Sequence, residues 1–384
     1  MAAALLGGER LLVWMPRWLG DFQMAEPTVA ALAAYFGPRA ERLTLALPPA
    51  FRPLMDPASF ELAPGLAEAA LVDLDRGKPA SGSSALQSAL ETSDVALLLP
   101  GSFRSAWRTW RAGVPRRIGW ARDGRGALLT EGMRPAREAG GRSARHRSRV
   151  LPRPYSTASQ ELLAGLGVPV RRTAPVLRPR PGLMAALTQR LASAGLEPGR
   201  PFATLNVGGR AGSAKAYPDW TGVLERLLEA GEAVVGVTGP GEEARFDALG
   251  LAAGVHGRGL WLPLGGPAEA RGRAGRATSS PVASLPELAA LGASATVCIT
   301  ADGGPRHLFD AAGGRTLVLF GPTDPRHTAG HLTRTQALVG HVACGPCHQE
   351  RCPQPVSFER ACFRAIDPEV LVQAALSYGR ADPL

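Results

Sequence analysis

Short apolar runs recur along this chain, each closed by a turn rich in glycine or proline and followed by residues with helical spacing. The first run is residues 11–15. A turn at 16–20 follows, and residues 21–36 then carry Phe22, Met24, Val29, Leu32, Ala33 and Phe36 along one helical face. Residues 43–47 and 95–99 are further strand-length runs. The second of these ends at Pro100-Gly101, ahead of a helix bearing Trp107 and Trp110. A strand–helix–strand rhythm of this kind implies a parallel sheet covered by helices. Proline-rich residues 171–181 interrupt it as an interdomain linker. It then resumes with strands at 202–207, 233–238, 297–300 and 317–320 and a helix at 220–230. Asp367-Pro368 opens the last helix, which runs to about Tyr378, with an N-cap carboxylate ahead of a proline in the first turn. The expected fold is therefore α/β, with two domains at 1–178 and 179–384. In open sheets of this kind ligands bind beyond the C-terminal ends of the strands, so the turns after strands are where chemistry is sought.

A length of 384 residues fits two such domains. The apolar runs are too short to cross a bilayer, and no leader pattern opens the chain, so a cytoplasmic protein is expected. The formal charge of +10 comes almost wholly from arginine, since Lys78 and Lys215 are the only lysines. A lysine kept in such a chain marks a place where a compact point charge is wanted in place of a planar fork. The basic balance points to an anionic partner: a nucleotide, a nucleic acid or a phosphorylated membrane surface. With aromatics at 6% and no nucleic-acid motif, a nucleic-acid-binding protein is the rival reading, and no nucleic-acid partner is expected.

Four turns carry candidate chemistry. Pro16-Arg-Trp-Leu-Gly-Asp21 places Asp21 near a helix start, where the dipole favours an ionised carboxylate. Asp21 is either a general base or the helix cap, and spacing alone favours the cap. After the first strand of the second half, Gly208 and Gly209 let the backbone approach a phosphate that Lys215 could neutralise. This is not a Walker loop, because no Gly-Lys-Ser/Thr follows. Thr238-Gly-Pro-Gly-Glu242 offers Glu242 to ribose hydroxyls, or is an ordinary turn. Thr300-Ala-Asp-Gly-Gly-Pro-Arg-His307 leaves amides open at Gly303 and Gly304 and puts His307 one turn into a helix. Residues 134–154 are dense in arginine, either a solvated linker or an anion-binding loop, and residues 265–284 read as an exposed insertion.

Taken in order, these stretches resemble the lipopolysaccharide heptosyltransferases, the type II enzymes most closely. VWMPRWLGDFQMAEPTVAAL at 13–32 resembles the family's opening strand, Gly-Asp turn and helix. LLLPGSFRSAWRTWRAGVPRRIGW at 97–120 resembles its Leu-Leu-Pro-x-Ser-Phe-x-Ser … Ala-Gly-x-Pro-x-Arg-x-Gly-Trp stretch, and Ala214-Lys215-Ala216-Tyr217-Pro218 its Ala-Lys-x-Trp-Pro loop. CGPCHQERCPQPVSFERACFRAIDPEVL at 344–371 is similar to its cysteine-bearing tail. The resemblance implies a GT-B fold, two Rossmann-like domains with parallel sheets facing across a cleft. The N-terminal domain would bind acceptor and the C-terminal domain a nucleotide sugar, with a final helix able to pack back on the first domain. It implies inverting transfer of heptose from ADP-heptose to the inner core of lipopolysaccharide, with no cofactor and no obligatory metal. Asp21 would be the base, Lys215 would hold the donor phosphates, and Asp302, Gly303, Gly304 and His307 would surround the diphosphate and sugar. The acceptor would be an anionic glycolipid, Kdo- and heptose-bearing lipid A. Arg17, Arg104, Arg108, Arg116, Arg117, Arg145 and Arg147 are the candidates to hold it, in peripheral contact with the cytoplasmic face of the inner membrane. Two departures are visible: the family's usual Asp-Ser-Gly reads Asp302-Gly303-Gly304, and Arg210 replaces a usual acid. They leave open a related transferase with another donor, or a member that binds without turnover.

Five cysteines do not suggest a disulfide framework in a cytoplasmic chain. Cys344, Cys347, Cys352 and Cys362 cluster near the C-terminus. The first pair has zinc-site spacing, but the last gap does not match a common structural site, and thiols that simply pack the segment are the alternative.

Overall fold

A computed structural model describes residues 5, 8–74, 85–134, 153–208, 214–239, 255–256, 259–263, 284–328 and 334–380. Gly209, Arg210, Glu242, Arg145 and Arg147, with most of the arginine-dense stretch and of the insertion at 265–284, lie outside the described residues. The chain forms two compact units. One comprises Met1–Pro57, Leu62–Pro175 and Arg326–His331; the other comprises Ala58–Glu61, Val176–Pro325 and Leu332–Leu384.

In the first unit, β1 (Leu11–Trp14) leads into α1 (Leu19–Met24) and α2 (Glu26–Phe36), then β2 (Leu43–Leu47). The continuous helix expected over 21–36 is broken at Ala25, which ends α1 and caps α2. Pro27 explains the break: it has no amide hydrogen to donate, and its ring excludes the carbonyl four residues back. The chain then enters β3 (Phe60–Glu61), which belongs to the second unit, and returns through β4 (Ala70–Asp73), α3 (Ala85–Glu91), β5 (Val95–Leu98), α4 (Phe103–Arg111), β6 (Arg116–Trp120), β7 (Glu131–Met133) and α5 (Tyr155–Ala164). The sheet order is β4-β2-β1-β5-β6-β7, all parallel. β1 and β5 are buried along their whole length, as central strands covered on both faces must be.

The second unit contains β8 (Arg178–Pro179), paired with β3, then α6 (Pro181–Ser193), β9 (Phe202–Asn206), α7 (Trp220–Glu229), β10 (Ala233–Thr238), β11 (Val255–His256) and β12 (Gly259–Pro263). It continues with α8 (Leu285–Ser294), β13 (Val297–Ala301), α9 (Gly304–Ala311), β14 (Thr316–Phe320), β15 (Thr335–Val339), α10 (Ala361–Arg364) and α11 (Pro368–Arg380). Its sheet order is β11-β12-β10-β9-β13-β14-β15, parallel except at β11. The final helix contributes to the core of its own unit. Leu371, Val372 and Ala375 of α11 share a core with Trp220 and Val223 of α7 and with Val297 and Ile299 of β13. No helix among the described residues is long and apolar enough to cross a membrane.

Both sheets reverse direction at one place. In the first unit the chain builds outward from β1 through β2 and β4, then crosses to β5 on the other side. In the second it builds from β9 through β10 and β12, then crosses to β13. The loops leaving β1 and β5, and those leaving β9 and β13, therefore diverge and open a crevice at each switch point.

Candidate functional site

At the switch point of the second unit, the ends of β9 and β13 are tied by side chains. The Asn206 amide donates from Nδ2 to Thr300 Oγ1 at 2.8 Å, and Asn206 Oδ1 accepts from the Gly208 amide at 3.2 Å. The loop after β9 carries Lys215 back across the crevice, and its Nζ lies 3.4 Å from Asp302 Oδ2. The other oxygen of Asp302 accepts from Arg306 Nε at 2.9 Å. Arg306 is fully buried, and its guanidinium lies 5.6 Å from the centre of the Phe320 ring. Burial acts to raise the Asp302 pKa, but the charges of Arg306 and Lys215 outweigh it and hold the carboxyl below its ordinary range.

Two cations around one carboxylate leave this crevice with a net positive charge. The Lys215 side chain is 43% exposed. Gly303 caps α9 without a side-chain hydrogen bond, so the first amides of α9 add their share of the helix dipole. His307 is buried one turn further on. The structure thus gathers Lys215, Asp302, Gly303, Gly304 and His307 around the ends of two adjacent strands. The absence of the usual serine does not deform the turn: Gly303 is extended (φ −154°), and a Cβ there would meet nothing closer than 3.8 Å.

At the switch point of the first unit, Trp18 occupies the N-cap of α1 and Asp21 lies within its first turn. Asp21 is therefore not the cap, the reading that spacing alone favoured. Tyr155, at the start of α5, approaches it. Burial raises the pKa of the Tyr155 phenol and the charge of Asp21 raises it further. Sequence reasoning passed over Tyr155, because more than a hundred residues separate it from Asp21 and no local signal connects them. It also passed over Arg125, with Arg306 one of the two largest fully buried side chains among the described residues. Arg125 donates to the carbonyls of Trp120, Pro100 and Ser102 at 2.8, 2.7 and 3.1 Å, so it holds the loop from which α4 starts. Burial pushes its pKa down to about 10, which still leaves it charged near neutrality.

The expected acceptor arginines divide. Arg116 is committed to the fold: it ion-pairs with Glu9 and Glu131, each at 2.8 Å. Arg117 is spent likewise, donating to the carbonyls of Leu128 and Val114. These contacts tie both half-buried side chains to the fold. Arg17 and Arg104 are exposed. Arg108 is half-buried, with its guanidinium 5.8 Å from the Trp14 ring centre. Arg104 and Arg108 lie on α4, whose aromatic residues form an unexpected exposed ladder. Phe103, Trp107 and Trp110 are 53%, 41% and 45% exposed, with successive ring centres 6.4 and 5.0 Å apart.

The sequence profile of "Glycosyltransferase family 9 (heptosyltransferase)" matches residues 84–356. A stretch of 111 residues is 39% identical to lipopolysaccharide heptosyltransferase 1 of Pseudomonas aeruginosa; it covers 27% of this chain and 31% of that protein. The matched stretch thus spans about a third of that relative's length. Over 96% of this chain and 98% of the other, the fold is similar to that of E. coli ADP-heptose LPS heptosyltransferase II, with a TM-score of 0.67 and 19% identity. A family 9 glycosyltransferase from Veillonella parvula is similar over 97% of both chains, with a TM-score of 0.64 and 18% identity.

Proposed function

This chain belongs to glycosyltransferase family 9 (heptosyltransferase), and from that premise we propose that it transfers heptose from ADP-heptose to the inner core of a lipopolysaccharide, as a type II enzyme does. The observation that carries the reading is the anion-ready crevice of the second unit. Lys215 stands 3.4 Å from Asp302, beside the open helix start at Gly303 and Gly304. Two cations, one carboxylate and free amides suit a diphosphate that gains charge as it leaves. The likeness to a solved ADP-heptose LPS heptosyltransferase II supports the choice of donor.

In this reading the acceptor hydroxyl gives its proton to Asp21 as its oxygen bonds to the anomeric carbon. The bond from that carbon to the diphosphate breaks on the opposite face, so the configuration inverts. ADP departs onto Lys215 and the α9 amides. Losing one such preorganised contact raises the barrier by about 3 kcal/mol. Asp302 acts by fixing the Lys215 ammonium and Arg306 together, while His307 and Gly208 line the donor side. Arg17, Arg104 and Arg108 hold the phosphates of the glycolipid. The exposed aromatic ladder of α4 with its interleaved arginines supports peripheral contact with an anionic membrane surface, where aromatic residues settle at the headgroup level.

The test is release of ADP from ADP-heptose on a heptose-accepting core lipid, with donor binding followed separately by calorimetry. Turnover that disappears in Asp21→Ala while donor binding survives is the expected result. Lys215→Ala is expected to weaken donor binding and slow turnover together. Tight donor binding without turnover on any core lipid would point to another acceptor, and no binding of ADP-heptose would sink the donor assignment.

A further inference from the structure

Residues 340–367 join β15 to α11 with very little regular structure: one short 3-10 turn (Val356–Phe358) and the four-residue α10. Val356 and Phe358 project into solvent, and the stretch contributes Cys362, Phe363 and Ile366 to the core. A connection this long, carrying so few buried apolar groups, needs another source of order. It nevertheless adopts a specific conformation. His348 and Arg360 both take left-handed backbone angles (each φ 54°), which a non-glycine residue holds only when its surroundings impose them.

All four clustered cysteines of this stretch line one cavity, which Ala214 and Arg360 complete. Cys362 is buried, Cys347 and Cys352 are half-buried and Cys344 is exposed at the mouth. The left-handed turn at Arg360 aims its amide at Cys352 Sγ, 3.3 Å away, which fixes that sulfur at the cavity wall. Arg360 Nε is buried, makes no hydrogen bond and meets Glu359 only at 3.5 Å, so it can serve a negative charge in the cavity. The sulfurs stand around the cavity wall more widely than ligands around a bound ion. Rotation about their Cα–Cβ bonds is the movement a cation would impose. The fifth cysteine, Cys298, lies buried on β13 and takes no part.

We propose that Cys344, Cys347, Cys352 and Cys362 form a tetrathiolate site for one thiophilic divalent cation, zinc or iron, that staples the 340–367 segment to the loop carrying Lys215. Four soft sulfur ligands select such ions over hard cations. Binding releases the four thiol protons, leaving a metal–thiolate group of charge −2 beside Arg360. The link to Lys215 is direct on both sides. The Ala214 amide donates to the Glu350 carbonyl at 2.9 Å, Arg360 donates to the Ala216 carbonyl at 3.3 Å, and the Tyr217 hydroxyl donates to the Ile366 carbonyl at 3.0 Å. The staple does not depend on which sugar the protein transfers.

The experiment is elemental analysis of the full chain, purified reduced and without metal-affinity resin. The expected content is about one zinc or iron per chain, lowered about tenfold or more in Cys347→Ser and Cys352→Ser and unchanged in Cys298→Ser. Because the serine variants could misfold, cobalt(II) exchange into the wild type provides an independent reading. A tetrahedral tetrathiolate gives intense sulfur-to-cobalt charge-transfer and ligand-field bands. Removing the metal by chelation is expected to speed hydrogen exchange at the 214–217 amides. A wild-type chain that contains no metal, gives no cobalt spectrum and leaves four thiols freely reactive would overturn the site. Metal that binds without altering exchange at 214–217 would overturn the staple.

Discussion

Arg306 and Asp302 form a buried pair, fully enclosed on the arginine side. Removing one member strands the other, so Arg306→Ala is expected to cost about 3–5 kcal/mol in urea unfolding. Gly303→Ser is expected to do almost nothing to stability, within about 0.5 kcal/mol, because the backbone there is extended and the space is open. A clear loss of stability in that variant would show the turn to be tighter than its geometry indicates. The pH dependence follows from two carboxyls. Asp302 and Glu287 are each raised by burial but lowered more by their arginine partners, so the folded state holds both below their ordinary values. Their contribution is therefore fully present above the carboxylate range of the unfolded chain, roughly pH 4, and is lost as pH falls through the lower folded values. Urea unfolding followed from pH 7 down to acid is expected to show flat stability, then a steep fall below about pH 4. That fall becomes shallower in Glu287→Gln.

At the scale of single elements, α8 and α4 make opposite uses of their surfaces. Helix α8 is fixed by a reciprocal capping box, with Ser284 and Glu287 each bonding the other's backbone amide, while Glu287 also receives Arg190 from α6. Ser284→Ala is expected to cost about 1 kcal/mol by thermal or urea unfolding. Helix α4 instead displays Phe103, Trp107 and Trp110 to solvent on the same element as Arg104, Arg108 and Arg111. Trp110→Ala should lose little stability, less than about 1.5 kcal/mol of ring packing. It should clearly weaken sedimentation with phosphatidylglycerol vesicles. Unchanged vesicle binding would remove the membrane role from this helix.

The whole molecule carries a formal charge of +10, which acts over a screening length of about 10 Å at 0.1 M salt. Binding to anionic vesicles is expected to weaken severalfold between low and high salt, with a salt-resistant remainder supplied by the α4 aromatics. Binding to neutral phosphatidylcholine vesicles that matches binding to anionic ones would discard the electrostatic part. Each unit has its own core, one built on Leu12, Trp14 and Leu98 and the other on Leu205, Trp220 and Leu319. Two enclosed cores on one chain are what the repeated strand–helix rhythm required.

The central strands of that rhythm, with the turns that end them, were legible from residues alone, because apolar periodicity and glycine or proline punctuation are local properties; outer strands such as β4, β6, β7 and β15, shorter or less apolar, were not. Residues 233–238 were read as a strand, and β10 is Ala233–Thr238. The Lys215 loop and the Gly303–Gly304 turn were legible for the same reason: each follows a strand whose end the sequence marks. What lies between distant residues was not. The break at Ala25 depended on one proline outweighing a helical pattern. The commitment of Arg116 to Glu9 and Glu131, and the approach of Tyr155 to Asp21, depend on strand order, which spacing does not encode. The cysteines show the division most clearly. Their spacing did not match a common site, yet the fold places all four around one cavity. Sequence decides which residues can form strands, turns and ligands. Only the assembled sheets and their packed helices decide which of them meet, because burial selects among contacts that the linear chain leaves equally open.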